Sequence, residues 1–395
     1  LLIYSGVCLV LQYCVTLLSF MSRLRKFTRG ILLLLNIVFA FALIASCYGS
    51  KFGHKEVWFI AVLTLFSIFF LVAVVSFLLI WLFVKPKFIF ISALTLVFCW
   101  KPIGHFFQFR INNDFNYKKS ARTIRVMSWN VEHFNMLQHK KYPERKKQMI
   151  EFINEVGSDI ACFQEMVAGD DRRKCINTLD EFKKKFSFRD SYYVYDTAFD
   201  FDQYHHFGII IYSKYPIINK QTVVSDPTEY NSIFQYADVV KNNDTIRVFN
   251  IHLQSLRFTS DNRKYIDNPG ITGESDLAAT KNILLKYKTG MEKRHRQSDA
   301  IRKAIDESPY PVILCGDFND VPNSYAYNTI GENLNNAFNV QGSGIGNTYN
   351  GLSPTLRIDN IFTDKRFEVN QFKRFLKNWS DHFPIVADIV YHKTN

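Results

Sequence analysis

The chain has 395 residues, 48 of them Lys or Arg against 36 Asp or Glu, for a formal net charge of +12. That length holds one large domain or two ordinary ones, and the seven cysteines, with no CxxC and no Cys/His metal spacing, exclude a disulfide scaffold and a zinc-cluster module. A basic balance suits a polyanionic substrate or an anionic membrane surface, but solvated lysines produce the same sum, so charge alone selects no function.

Composition divides the chain. The first hundred residues are rich in Leu, Ile, Val and Phe, and nearly all the acidic residues lie from Asp114 onward. Residues 1–20 are apolar and read as an extension or an extra span. Met21-Ser22-Arg23-Leu24-Arg25-Lys26 follows as a basic flank. The runs 31–45 and 57–84 carry no charge, and the second exceeds the roughly 20 residues a helix needs to cross a hydrocarbon core. Residues 88–100 reach spanning length if Lys101 snorkels and the helix continues to Phe109. Residues 21–110 are therefore expected to form a membrane region of about three transmembrane helices. Arg23, Arg25, Lys26 and Arg29 put the preceding side in the cytoplasm by the positive-inside rule; three crossings then leave the C-terminal part extracytoplasmic, although Lys51 and Lys55 weaken the bias.

Residues 111–122 read as a polar, basic linker, and 123–395 as one soluble domain. Within it the apolar periodicity predicts strands at 124–131, 159–165, 192–195, 207–212, 234–240, 245–253, 311–314, 358–363 and 385–390. An amphipathic helix is predicted over 144–156 and a long charged helix over 276–305. Many strands and few helices indicate an α/β sandwich of two packed sheets with helices outside. The connections 257–275 and 342–355 are long enough to face a substrate.

Residues with catalytic potential recur where strands end: Asn130 in Ser-Trp-Asn-Val-Glu, Glu165 in Phe-Gln-Glu-Met, His252 in Asn-Ile-His-Leu, Asp317 and Asn319 in Gly-Asp-Phe-Asn, Asp359 in Arg-Ile-Asp-Asn, and Asp381-His382 in Ser-Asp-His-Phe-Pro. Singly, each has an ordinary explanation as a turn residue or a satisfied structural histidine. Six such motifs in this order resemble the endonuclease/exonuclease/phosphatase superfamily, over about residues 125–390.

The resemblance implies a four-layer α/β sandwich, two packed mixed sheets flanked by helices, here preceded by transmembrane helices. It also implies a cleft at the sheet edges. Glu165 resembles the family's main metal-ligand carboxylate, with Asn130 beside it and Asp381 shaping the metal and phosphate pocket. Hard oxygen donors suit Mg²⁺ or Mn²⁺. Asp317 resembles the residue that orients the attacking water, Asn319 the amide that holds a phosphate oxygen, and His382 the histidine paired with a carboxylate, here Asp359. His252 resembles the histidine of the deoxyribonuclease, sphingomyelinase and inositol-phosphate phosphatase branches, where it protonates the leaving oxygen or binds the phosphate. No Gly-x-Ser-x-Gly elbow and no P-loop or Rossmann glycine loop is present.

The expected activity is magnesium-dependent hydrolysis of a phosphoester, either a lipid head group or a sugar or inositol phosphate, with the bilayer as the other partner. Two aromatic and basic segments, 204–207 with His205 and His206, and 256–265, could meet a lipid surface. The rival is a membrane-tethered nuclease that tracks a nucleic-acid backbone through Arg172, Arg173, Lys174 and residues 183–185. A catalytically silent binding protein on the same fold is the third reading.

Overall fold

The computed structural model describes residues 2–52, 58–110, 114–169, 171, 173–195, 202, 204–224, 233–256, 258–267, 274–351 and 353–392. Lys55 and Arg172 lie outside them, as do residues 268–273 of the first long connection.

The apolar N-terminal third is helical throughout its described length. α1 (Leu2–Tyr48) is one unbroken helix of 47 residues, so residues 2–20 do not form a separate span that turns back. α2 (Trp58–Thr64) and α3 (Ser67–Val84) divide the second apolar run, and α4 (Ile89–Phe98) and α5 (Trp100–Phe106) divide the third, with a bend of 64°. Pro102 cannot give the N–H that a straight continuation would use, and the expected run to Phe109 stops at Phe106. Among the described residues, two helices are thus long and apolar enough to cross a membrane, Thr16–Tyr48 and Ser67–Val84, or three if the bent pair counts as one. α1, α3 and α4 are joined by a buried polar chain. Trp81 Nε1 donates to Asn36 Oδ1 at 3.0 Å, and Asn36 Nδ2 donates to Ser92 Oγ at 2.9 Å. A polar side chain inside an apolar bundle is tolerable only when its partners are supplied this way.

The soluble part contains two six-stranded mixed sheets. The first orders β11 (Phe367–Arg374), β12 (Ile385–Tyr391), β1 (Thr123–Asn130), β2 (Ile160–Ala168), β4 (His206–Ser213) and β3 (Asp190–Tyr195). The second orders β5 (Ile217–Val224), β6 (Ile233–Lys241), β7 (Asp244–His252), β8 (Val312–Asp317), β10 (Asp359–Asp364) and β9 (Leu334–Asn336). Each sheet has one central parallel pair, β1 with β2 and β7 with β8; every other pairing is antiparallel.

Val126, Cys162, Ile211, Val248, Ile313, Cys315 and Ile361 meet between the sheets. Outside the first sheet lies α6 (Arg145–Val156), whose Met149, Ile150, Ile153 and Val156 form the predicted apolar face, together with α7 (Leu179–Lys185). Outside the second lie the C-terminal half of α9 (Glu274–Asp306) and α10 (Tyr325–Ile330). The four layers are helices, sheet, sheet, helices, as the resemblance implied. Short α11 (Ala337–Gln341) packs beside β11, and α8 (Ser260–Asp267) occupies part of the connection read as a loop.

Buried Arg125 commits all five guanidinium hydrogens. It grips Asp388 bidentately at 2.7 and 2.9 Å and caps the carbonyls of Val156, Tyr117 and Asn116. The segment read as a free linker is therefore fastened to the first sheet over its described residues. The candidate membrane helices are fastened as well. Gln108 and Gly344 exchange backbone hydrogen bonds at 2.9 and 2.8 Å, His105 Nδ1 lies 2.7 Å from Asn323 Oδ1, and Arg357 donates to His105 O. Asn328 Nδ2 donates to Ser50 Oγ at 2.7 Å.

Candidate active site

The two parallel pairs end on the same rim, and this brings the motifs together. Asn130 closes β1, His252 closes β7 and Asp317 closes β8; Asp359 opens β10, and His382 stands three residues before β12. Glu165 is different. The sequence reading ended its strand there, but β2 continues to Ala168, and Glu165 sits at an irregularity between Phe163 and Met166 with φ +50°. A bulge with a left-handed residue re-aims one side chain without ending the strand. Gly316 before Asp317 has φ +157°, and a Cβ there would lie 2.1 Å from Ile251 O, so only glycine lets β8 close on β7 at this point.

His382 Nδ1 lies 2.8 Å from Asp359 Oδ2. Its Nε2 faces Asp317 Oδ2 at 3.6 Å, and His252 Nε2 approaches the same oxygen at 3.6 Å and Glu165 Oε1 at 3.7 Å. Asp317 is held by Asn130 Nδ2, which donates to Oδ2 at 3.1 Å, and by the Asn319 N–H, which donates to Oδ1 at 2.8 Å. Asn319 commits one amide hydrogen to Leu253 O at 2.9 Å. Trp129 Nε1 donates to His382 O at 3.0 Å, and Ser380 Oγ donates to Asn130 O at 2.7 Å; these bonds lock the β1 end to the Ser-Asp-His turn. Asp381 stands at the mouth with 37% of its side chain exposed. All eight predicted residues thus come to one cluster.

Burial and mutual charge set the protonation states. Burial pushes the Glu165 carboxyl up to about 7, and the charges of Asp381 and Asp317 add to the rise. Asp317 is also raised, by burial and then by Asp359, against the lowering effect of His382. Burial opposes charge on His382, but Asp359 and Asp317 outweigh it and hold the imidazole well above its usual range. Burial drives His252 down to about 4, which leaves that ring neutral at pH 7.

Two residues near the cluster were missed. Glu132 Oε2 accepts from the Asp381 N–H at 3.1 Å, and its carboxyl is raised by burial and by Asp381. His133 Nε2 lies 3.8 Å from Glu165 Oε2. Residues 132–135 all have positive φ, between 43° and 62°. L-residues resist that conformation, and no sequence signal announces four in a row; only the adjacency of both residues to Trp129-Asn130 could have pointed to them. Tyr349 is the third addition. It bridges to His382 through the backbone and sets its ring 5.0 Å away, so part of the 342–355 connection does face the site. His205 and His206 are engaged elsewhere: His205 Nδ1 pairs with Asp202 at 2.8 Å, its Nε2 accepts from the Ile176 N–H, and His206 stacks on Tyr195.

A hard divalent cation fits this donor set. Glu165, Asp381 and Glu132 present carboxylates, and the charge of Asp381 raises the proton affinity of both glutamates, a repulsion that a cation relieves. Donor atoms of Asp317, Asp359 and His382 also lie within 4.8 Å of one another, and the buried Asp359 Oδ1 accepts no hydrogen bond.

The sequence profile described as the Endonuclease/Exonuclease/phosphatase family matches residues 127–382, well over half of the chain and from β1 to His382. The chain belongs to the endonuclease/exonuclease/phosphatase family. A second profile, a domain of unknown function (DUF8431), matches residues 29–106. No curated protein matches the chain. Among solved structures, the endonuclease/exonuclease/phosphatase from Bacteroides vulgatus aligns with TM-score 0.50 at 18% identity, covering 68% of this chain and 99% of that one. The human Nocturnin catalytic domain with bound sulfate gives 0.48 at 17% identity, covering 68% and 95%. The Bacteroides thetaiotaomicron mannosyl-6-phosphatase gives 0.46 at 16%, covering 68% and 100%. Identities this low speak to fold alone. The family's members are phosphoester hydrolases that use divalent metals.

Proposed function

We propose that this member of the family is a membrane-anchored, magnesium-dependent phosphoesterase that hydrolyses a small phosphoester or a lipid head group. The observation that carries the reading is the convergence, from both sheets, of the half-buried Glu165 and the buried His252, Asp317, Asp359 and His382 on one rim. Phosphoester hydrolysis needs a positioned water, charge stabilisation on phosphate oxygens and a route for the leaving oxygen.

Glu165 and Asp381, with Asn130 in support, would hold Mg²⁺, which would supply Lewis-acid stabilisation of the phosphate charge. Asp317 takes a proton from the attacking water, since its raised affinity makes it the better base. His382, charged and steered by Asp359, donates to a phosphate oxygen. His252 is neutral and donates without adding charge. Asn319 is braced by Leu253 O and directs its amide at the same phosphate.

The nuclease reading draws less support. Lys146 and Lys185, part of the basic surface around α7, pair with Glu181 at 3.1 and 2.7 Å and are partly neutralised. The decisive assay is hydrolysis of bis-p-nitrophenyl phosphate by the full chain in nanodiscs, with magnesium and with chelator. Magnesium-dependent turnover is expected. No turnover with magnesium or manganese, from a folded sample, leaves the silent-protein reading.

The same reading puts the catalytic domain outside the cytoplasm, on the strength of Arg23, Arg25, Lys26 and Arg29 ahead of the uncharged run 31–45 and of three crossings, with the bent pair of α4 and α5 counted as one. Protease added outside intact cells, with any outer membrane opened, should remove the domain. Complete protection beside a digested outer-facing control reverses the orientation.

A further inference from the structure

The long helix α9 does two jobs along its 33 residues. Its C-terminal half packs on the second sheet through Ile301 and Ile305. Halfway along, Tyr287 Oη donates to Ala61 O at 3.0 Å, inside the apolar run that leads into α3. Gly290 lets the helix pass close to Leu256, where a Cβ would meet Leu256 Cδ2 at 2.9 Å. The helix then extends another 13 residues N-terminally, past the sheet, to Glu274.

That overhang carries Leu277, Leu284 and Leu285, exposed by 73%, 36% and 53%. They stand at i, i+7 and i+8 of one helix stripe, with Lys281 and Lys288 at i+4 and i+11 of the same stripe. The stripe adjoins the face that bears Tyr287. Leucines interleaved with lysines long enough to snorkel are the pattern of a helix lying in a lipid head-group layer. α8 is clamped beside it: Lys286 Nζ donates to Asn262 Oδ1 at 2.6 Å, and Tyr265 Oη donates to Asp276 O at 3.1 Å.

The level of the bilayer surface is marked independently. On the domain side of the anchor, Trp100 and Phe109 are 66% and 70% exposed and stack at 6.0 Å. Aromatic rings of this kind collect at the membrane–water boundary.

We propose that α8 and the N-terminal half of α9 lie on the surface of the bilayer that holds the anchor, with the leucines among the acyl chains and the lysines at anionic head groups. The surface is continuous with the anchor: the exposed stripe begins within one turn of Tyr287, which touches Ala61. α8 also follows β7 in the chain beyond His252, and α9 is tied back to that segment by Arg294, which donates to Gln254 O at 3.1 Å. Lipid contact therefore sets the mouth of the site at head-group level, where amphiphilic phosphoesters are presented. The inference rests on the membrane reading of α1 and α3, not on the hydrolase reading.

The test uses the full chain in nanodiscs of phosphatidylcholine and phosphatidylglycerol, with Leu277, Leu284 or Leu285 replaced singly by p-benzoylphenylalanine and irradiated. Adducts are read by mass spectrometry, so no turnover is required. Lipid adducts are expected at all three positions, approaching the yield at Phe83 in α3 and absent at Lys303 near the C-terminal end of α9. Adducts to a second copy of the chain, or none while Phe83 gives lipid adducts, overturn the proposal. Loss of the Phe83 adducts as well overturns it together with the membrane reading on which it stands, whereas an inactive protein that gives the expected adducts leaves it intact.

Discussion

Glu165→Ala should lower kcat/KM for a generic phosphodiester by about 10³-fold or more, because the cation it anchors stabilises transition-state charge by several kcal/mol. High magnesium should restore part of the loss, since Asp381, Asn130 and Glu132 remain near the site. Full activity of the mutant in chelator would end the metal assignment. The same residue should show an opposite effect on stability. Its folded carboxyl is raised from 4.5 to about 7, so the metal-free native state keeps a proton that the unfolded chain gives up. The stability from this group is complete below the unfolded value, fades between about 4.5 and 7, and is gone above that. Glu165→Gln removes the penalty of the buried charge, and should raise the melting temperature in chelator at pH 8 while changing it little near pH 4.5. Equal shifts at both pH values would show that the buried charge of Glu165 is not the cause.

The second large effect concerns Asp359 and His382. If Asp359 both orients the imidazole at 2.8 Å and holds its charge, then His382→Ala and Asp359→Asn should each lower kcat by roughly 10²-fold or more. The double mutant should be little worse than the poorer single, because groups that act as one unit are not additive. Asp317 also holds His382 charged from 3.6 Å, so Asp359→Asn should lower the imidazole's proton affinity without returning it to that of a free histidine. Histidine NMR titration reads this directly. Multiplicative losses in folded mutants, or an unchanged titration, would show two independent residues.

Local chemistry made much of this protein legible. Alternating apolar residues named nine of the twelve strands, since a strand buried on one or both faces must write that burial into its sequence. The three left out were β5, β9 and β11. β5, β9 and β11 are all sheet edges; β5 has no buried residue and β11 buries only Phe367 and Val369, since an edge strand has less to bury. The uncharged runs likewise announced helices long and apolar enough to cross a membrane, because a hydrocarbon core tolerates few charges. The eight candidate site residues were legible as polar groups placed at or beside the ends of core strands, Gly-Asp-Phe-Asn and Ser-Asp-His-Phe-Pro being the densest of these motifs.

Tertiary structure decided the rest. That Asp359 meets His382 across 23 residues, and that Asn130 holds Asp317 across 187, depends on how two sheets stack and on which strand ends share a rim. No local pattern encodes it. Glu132 and His133 reach the site through a run of left-handed residues that only surrounding contacts can impose. The bend between α4 and α5, and the overhang of α9, depend on the same long-range packing. A sequence records what each segment must bury. Where the buried faces meet, and so which distant side chains come within a hydrogen bond of one another, is fixed only when all of them are satisfied at once.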